Sequence, residues 1–201
     1  MRDADLLDAL LGPQRHPCIL LEGPARKEAI EAIKHNHYTH SVPSGKSYYL
    51  KVYDALVVWS IPANKNIAKF VLGREGSVWE LSRLWAPDNH GKNLLTLAIG
   101  QAVRFIKRTE NPDALVSYAD PSQGHHGGVY RAASWQHHGT SEEVRAYRTV
   151  EGQVVSRRAF HSGNRSLKKA EIEALGYVEL RLPGKERFVK KLNRRPLKGV
   201  M

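Results

Sequence analysis

The sequence predicts an α+β fold, with one central mixed, mostly antiparallel sheet flanked by helices. Three observations carry that prediction. Ser47–Ile61 and Val78–Trp85 are rich in the Val, Tyr, Trp and Leu of strands. Asn93–Lys107 repeats apolar residues at helical spacing. Helical and strand segments come in blocks rather than in strict alternation, which argues against a doubly wound parallel sheet. With 201 residues, 41% of them hydrophobic, the chain suits a single domain over residues 1–201.

The elements follow in order. Leu6, Leu7, Leu10 and Leu11 make an apolar helical stripe that Pro13 ends, and Pro24 opens a second helix over Ala25–Lys34. His35–Gly45 reads as a loop. Ser47–Ile61 is one long strand or a hairpin turning at Asp54. Val78–Trp85 is a strand whose alternation places Trp79, Leu81, Arg83 and Trp85 on one face. Leu95, Ile99, Ala102, Val103 and Ile106 mark the long helix, which Asn111-Pro112-Asp113 ends. Ala114–Ala119 is short and mostly apolar, as a strand inside a sheet should be. A glycine-rich loop, Asp120–Gly128, leads to a short helix at Val129–Trp135. Gln136–Thr140 reads as a brief strand, and Val144–Val150 with Val154–Phe160 as a hairpin. Ser166 is placed to cap a helix through Leu175, closed by Gly176. Tyr177–Leu182 and Arg187–Leu192 flank the turn Pro183-Gly184-Lys185.

The formal net charge is +11, and Arg165–Lys198 holds eleven Lys/Arg against four Glu, a net of +7. Such a cationic surface suits a polyanion, since each neutralised phosphate releases counterions. Nucleic acid is the expected partner, and the oligomeric state is open, a dimer included. Lys185, Arg187, Lys190, Lys191, Arg194 and Arg195 are the candidate backbone contacts, with Tyr38 and His40 from the front loop. The single cysteine, Cys18, excludes an internal disulfide and a cysteine-rich zinc site. No run approaches the roughly 20 apolar residues of a membrane span. The first residues lack the basic-then-apolar pattern of a secretory signal. A cytoplasmic protein with no membrane contact is the expectation.

Chemistry concentrates in Ser117-Tyr118-Ala119-Asp120-Pro121-Ser122-Gln123-Gly124-His125-His126-Gly127-Gly128-Val129-Tyr130. A buried strand ends in a carboxylate, a glycine loop follows, and a helix begins. Strand ends of this kind hold ligands in α/β sheets, and glycines with a helix start let backbone N–H groups approach an anion. Asp120 is then an acid–base candidate, or merely the cap of the turn at Pro121. Tyr130 can donate a proton to a leaving group, or simply pack. Arg83 can bind phosphate, orient Asp120, or form a structural ion pair. His37 and His40 stand close enough in sequence to share a metal, but no carboxylate lies nearby to complete a facial triad. Lining a substrate cleft is the better reading for them.

These residues resemble the Mom family of Mu-like phages, adenine-modifying proteins related to the GNAT acyltransferase superfamily. The matching pieces are His37-Tyr38 with Ser41 and Pro43, then Trp79-Glu80-Leu81-Ser82-Arg83-Leu84. The longest is Ser117-Tyr118-Ala119-Asp120 through Gly124-His125, Gly127, Tyr130-Arg131-Ala132, Trp135 and Gly139. The resemblance implies a GNAT-like fold with one strand splayed from its neighbour. It also implies a product, N6-carbamoylmethyladenine in duplex DNA, that shields phage DNA from host restriction. It puts Asp120 and Tyr130 on the family's catalytic positions, with Ser117, Arg83 and His37 as further polar site residues.

One feature departs from the superfamily. The phosphate-binding loop before the long helix usually reads Arg/Gln-x-x-Gly-x-Gly/Ala, whereas here Ala86–Asn93 has one glycine. Asn89, His90, Gly91, Lys92 and Asn93 are nevertheless the candidates to hold the donor's phosphates at the helix start. The donor itself is open between acetyl-CoA and an aminoacyl (glycyl) tRNA, and iron or another metal is not supported by the sequence. Two other functions remain in view, a GNAT-type N-acetyltransferase for a protein or small amine and a non-catalytic DNA-binding protein.

Overall fold

The computed structural model describes residues 18–162 and 165–192. The stripe at Leu6–Leu11 and the cations Arg194 and Arg195 lie outside the described residues. The fold is α+β, a mixed sheet flanked by helices. The chain divides into two compact units: residues 1–117, 129–136 and 189–201 in the first, and 118–128 and 137–188 in the second.

The first unit begins with β1 (Cys18–Leu20), α1 (Gly23–Asn36), β2 (Ser47–Val52) and β3 (Ala55–Ser60). Pro24 sits at the start of α1, where a missing N–H costs nothing. The helix buries Ala29 and Ile33 against Tyr49, Leu56 and Val58. β2 and β3 are a hairpin with Val52 opposite Ala55, and the turn residue Tyr53 takes a left-handed φ of 52°. Next come α2 (Ile67–Leu72), β4 (Val78–Trp85), α3 (Leu94–Thr109) and β5 (Ala114–Ala119). Ala98, Ile99, Ala102 and Ile106 form the buried stripe of α3, which lies against β1, β2 and β3. α4 (Gly128–Ala132) follows the glycine loop.

β3 and β4 are antiparallel, and β4 and β5 parallel. The β3–β4 register slips: Trp59 faces Leu81 but Val58 faces Arg83, so Ser82 is the extra residue of a bulge. Neighbours across a ladder share a face, and Val58 and Trp59 point to opposite faces. The bulge therefore inverts the alternation expected for β4. Arg83 shares its face with Trp85 and the α1 side, not with Trp79 and Leu81.

The second unit holds β6 (Gln136–Thr140) from His137 on, β7 (Val144–Arg148), β8 (Val154–Ser156), β9 (His161–Ser162), β10 (Arg165–Ser166), α5 (Lys169–Ala174), β11 (Val178–Leu182) and β12 (Glu186–Lys191) as far as Phe188. β11, β7 and β8 form an antiparallel sheet, β9 pairs with β10, and β12 lies beside β6. Ser166 does not cap α5 as its sequence position suggests. It pairs with His161 in β10, and the helix starts two residues later behind Lys168. Glu171 accepts the Lys168 backbone N–H there, supplying the reciprocal bond that a serine was expected to begin.

Candidate functional site

In the first unit the site grows from the last rung of the β4–β5 ladder, where Leu81 faces Ser117. The bulge begins at the next residue, and the Leu81 carbonyl accepts a side chain there. Ser117 Oγ lies 2.8 Å from Leu81 O and 2.9 Å from Tyr130 Oη. A serine has one hydroxyl hydrogen and a carbonyl can only accept. Ser117 thus donates to Leu81, and the Tyr130 phenol donates to Ser117. Both side chains are buried, Ser117 at 1% exposure and Tyr130 at 8%. Burial is the main cause that pushes the Tyr130 pKa up to about 12, with the charges of Tyr38 and Glu80 acting in the same direction. Tyr130 is therefore a neutral, tightly held proton donor at physiological pH.

The same unit orders the front loop. His37 is buried and stacks on Tyr38 at 4.5 Å. The Thr39 backbone N–H donates to His37 Nδ1, so a neutral ring carries its proton on Nε2. Arg83 Nε and an Nη donate to Ser41 O (2.8 Å) and Oγ (3.1 Å), while its other Nη donates to Ser82 O. Burial lowers the Arg83 pKa, and Tyr38 bears on it as it does on Tyr130. His37, Tyr38, Arg83, Ser117 and Tyr130 thus belong to one neighbourhood, with Arg83 anchoring the His37–Ser41 loop to β4. His40 is exposed, and its Nδ1 lies 2.9 Å from Lys34 O.

Aromatic rings close this neighbourhood. Trp135 lies 5.7 Å from Tyr130 and stacks on Trp59 at 6.4 Å. Among the described residues, nothing accepts a hydrogen bond from the buried indole N–H groups of Trp59 and Trp135, a feature sequence reading had no means to find. Asp88–Asn93 is exposed, and Asn93 stands before α3 in a left-handed conformation with no side-chain cap bond. The first turn of α3 is therefore not closed by a side chain of its N-cap, which suits an anion beside Lys92.

In the second unit, Asp120 is 7% exposed. Its Oδ1 accepts from the Ser122 backbone N–H (3.1 Å) and hydroxyl (2.6 Å), and its Oδ2 pairs with Lys185 Nζ at 2.8 Å. Burial raises the Asp120 pKa, but the bonds from Lys185 and Ser122 outweigh it and hold the carboxyl below its ordinary value. Asp120 does cap the turn at Pro121, as the simpler reading had it, and also carries an ion pair. Gly127 has a φ of +72°, and a Cβ there would lie 2.1 Å from the Phe188 ring. Arg187 is buried, donates to His138 O at 3.2 Å, and lies 5.8 Å over the Tyr118 ring.

Sequence reasoning grouped Lys185, Arg187, Lys190 and Lys191 as phosphate contacts. The structure separates them. Lys185 pairs with Asp120, and Lys190, in the first unit, donates to Ala133 O and Ser134 O just past α4. Lys191 is exposed. Among the described residues no three His, Cys, Asp or Glu side chains gather as a metal-holding group, and no helix is long and apolar enough to cross a membrane.

Residues 19–195 match the model described as the Mom protein family. No curated protein matches the chain. Among solved structures, the chain is similar to a Bacillus subtilis acetyltransferase in complex with CoA. The identity is 9%, the coverage 88% of this chain and 98% of that one, and the TM-score 0.45.

Proposed function

The chain belongs to the Mom protein family, and we propose that it is a transferase that modifies the N6 amine of adenine in duplex DNA to N6-carbamoylmethyladenine, shielding that DNA from restriction. The single observation carrying this reading is the family match, which takes in the whole motif from Ser117 to Tyr130. Membership supports a DNA-modification, acyltransferase-like activity; the particular group added is the proposal.

Adenine N6 is a weak nucleophile hidden in the base stack, so the base must flip out at a cost of about a few kcal/mol. Tyr38, Tyr118 and Trp135 are the aromatic candidates to receive it. Asp120 is ionised and, with its pKa lowered, a poor proton acceptor. Its role is to take a hydrogen bond from the amine and orient it, rather than to strip its proton beforehand. Tyr130 supplies the proton to the departing group.

The added group bears on the donor. An acetyl group supplies two carbons but no second nitrogen, whereas an activated glycyl group contains every atom needed, which favours an ester donor such as glycyl-tRNA over acetyl-CoA. Attack on a glycyl ester forms the N6–acyl bond, breaks the ester C–O bond and releases the ribose hydroxyl. The N6-glycyl product is an isomer of the carbamoylmethyl product, so a rearrangement completes the reaction without a further reagent. Asn89–Asn93 at the start of α3, with Lys92, would hold the donor's phosphates.

Mass spectrometry of nucleosides from DNA of expressing cells tests the proposal. The modified adenosine is expected with the unaltered chain and absent with Asp120→Ala and with Tyr130→Phe. Acetyl-CoA turnover on an amine without DNA would favour the N-acetyltransferase reading. Unmodified DNA that is nevertheless bound, with Asp120→Ala indistinguishable from the parent, would favour a binding protein.

A further inference from the structure

We infer that Lys185 is a positioning residue for Asp120: rooted in a locked turn, its ammonium fixes the carboxylate so that one acceptor direction is left for the substrate amine. The inference rests on the role proposed above for Asp120 and assigns Lys185 a task other than gripping phosphate.

The turn between β11 and β12 is locked at Lys185 itself. Ser141 N–H donates to Lys185 O and Lys185 N–H donates to Ser141 Oγ, both at 2.8 Å. Gly184 fits so closely that a Cβ would lie 1.8 Å from Ser141 O. The backbone bearing the ammonium is therefore held on both sides.

At the other end of the side chain the accounting of lone pairs is tight. An ionised carboxylate offers about four acceptor directions. Ser122 uses both on Oδ1 through its N–H and hydroxyl, and Lys185 uses one on Oδ2. Among the described residues nothing takes the one direction that remains, on Oδ2, and its orientation is set by where Lys185 stands. The groups that bear on the Asp120 charge are Lys185 and Ser122. Arg187, in the same unit, donates to His138 O and lies over the Tyr118 ring.

The test is a carbon-13 NMR titration of the Asp120 carboxyl in the full chain, beside Lys185→Met, Lys185→Gln and Lys185→Arg. A neutral side chain at 185 is expected to raise the Asp120 midpoint by roughly one unit or more, and arginine to restore most of the shift. Nucleosides from expressing cells are expected to lose the modification with methionine or glutamine and to regain it with arginine. An Asp120 midpoint unchanged in both neutral variants overturns the inference. So does a loss confined to DNA affinity, with a salt slope lower by about one, because that is the signature of a phosphate contact. The titration does not need the modification reading to be right. If Asp120→Ala still modifies DNA, that reading fails while the effect of Lys185 on Asp120 remains measurable.

Discussion

At the scale of single residues, burial sets how Tyr130 and Ser117 hold their protons. The phenol sits inside the protein with its proton committed to Ser117. Tyr130→Phe removes one hydrogen bond but leaves Ser117 donating to Leu81, and should cost about 1 kcal/mol. Ser117→Ala leaves the buried phenol with no acceptor at that position and should cost more, about 1–3 kcal/mol. Urea denaturation of the two variants checks the order, and a larger loss from Tyr130→Phe would contradict the proton arrangement drawn above. The raised pKa also has a stability consequence. Below the ordinary tyrosine value near 10, both folded and unfolded chains keep this proton. Between about 10 and about 12 the unfolded chain releases it and the folded chain does not. The folded state therefore loses stability as pH rises through that window, by about 3 kcal/mol in all. The difference between the parent and Tyr130→Phe isolates this contribution from the lysines that titrate nearby. Denaturation at pH 9 and again near pH 11.5 should show the parent losing more, and equal losses would place the phenol in water.

At the scale of elements, the glycine loop shows how space and backbone conformation make separate demands. Gly124 and Gly127 both have a φ near +71°. Around Gly124 the space is open, so Gly124→Ala bears only left-handed strain, about 1–2 kcal/mol. At Gly127 the added methyl also meets the buried Phe188 ring. Gly127→Ala should cost a further 1–3 kcal/mol or so from overpacking. Thermal melts of the two variants should therefore separate, and coincident melting temperatures would mean that Phe188 yields freely. The elements also show what sequence could say. α3, β4, β5 and the hairpin at Tyr53-Asp54 were legible because each carries a repeated apolar pattern over five residues or more. β1 was not, since three residues with two exposed carry no alternation. α2 was missed for the same reason, at six residues. The face of Arg83 was misread because a bulge adds a residue without leaving a pattern of its own. Asp120 and Tyr130 stood out in the sequence as a carboxylate at a strand end and a tyrosine at a helix start. The partner of Asp120 was not, because Lys185 meets it through tertiary folding across 65 positions, and its charge alone classed it with the phosphate contacts.

At the scale of the whole molecule, the charge of +11 overstates what the chain can offer a polyanion. Of the cations in the basic final part of the chain, Lys169, Arg181 and Lys185 are ion-paired, while Arg187 and Lys190 are bonded to backbone carbonyls. A cation already compensated within the protein releases fewer counterions when a phosphate approaches, because part of its field is spent locally. The residues after Leu192 add Arg194, Arg195 and Lys198 with no acidic residue among them. Each duplex phosphate neutralised contributes about 0.9 to the slope of log affinity against log salt. Truncation after Leu192 should therefore lower that slope by as much as ~2.7 if all three cations meet phosphates, whereas Lys190→Ala should lower it by well under one. Fluorescence anisotropy with a labelled duplex between about 50 and 200 mM salt spans a range in which such slopes are read directly. An unchanged slope after truncation would move the phosphate contacts to other cations, and a large effect of Lys190→Ala would show that its bonds to Ala133 and Ser134 give way to DNA.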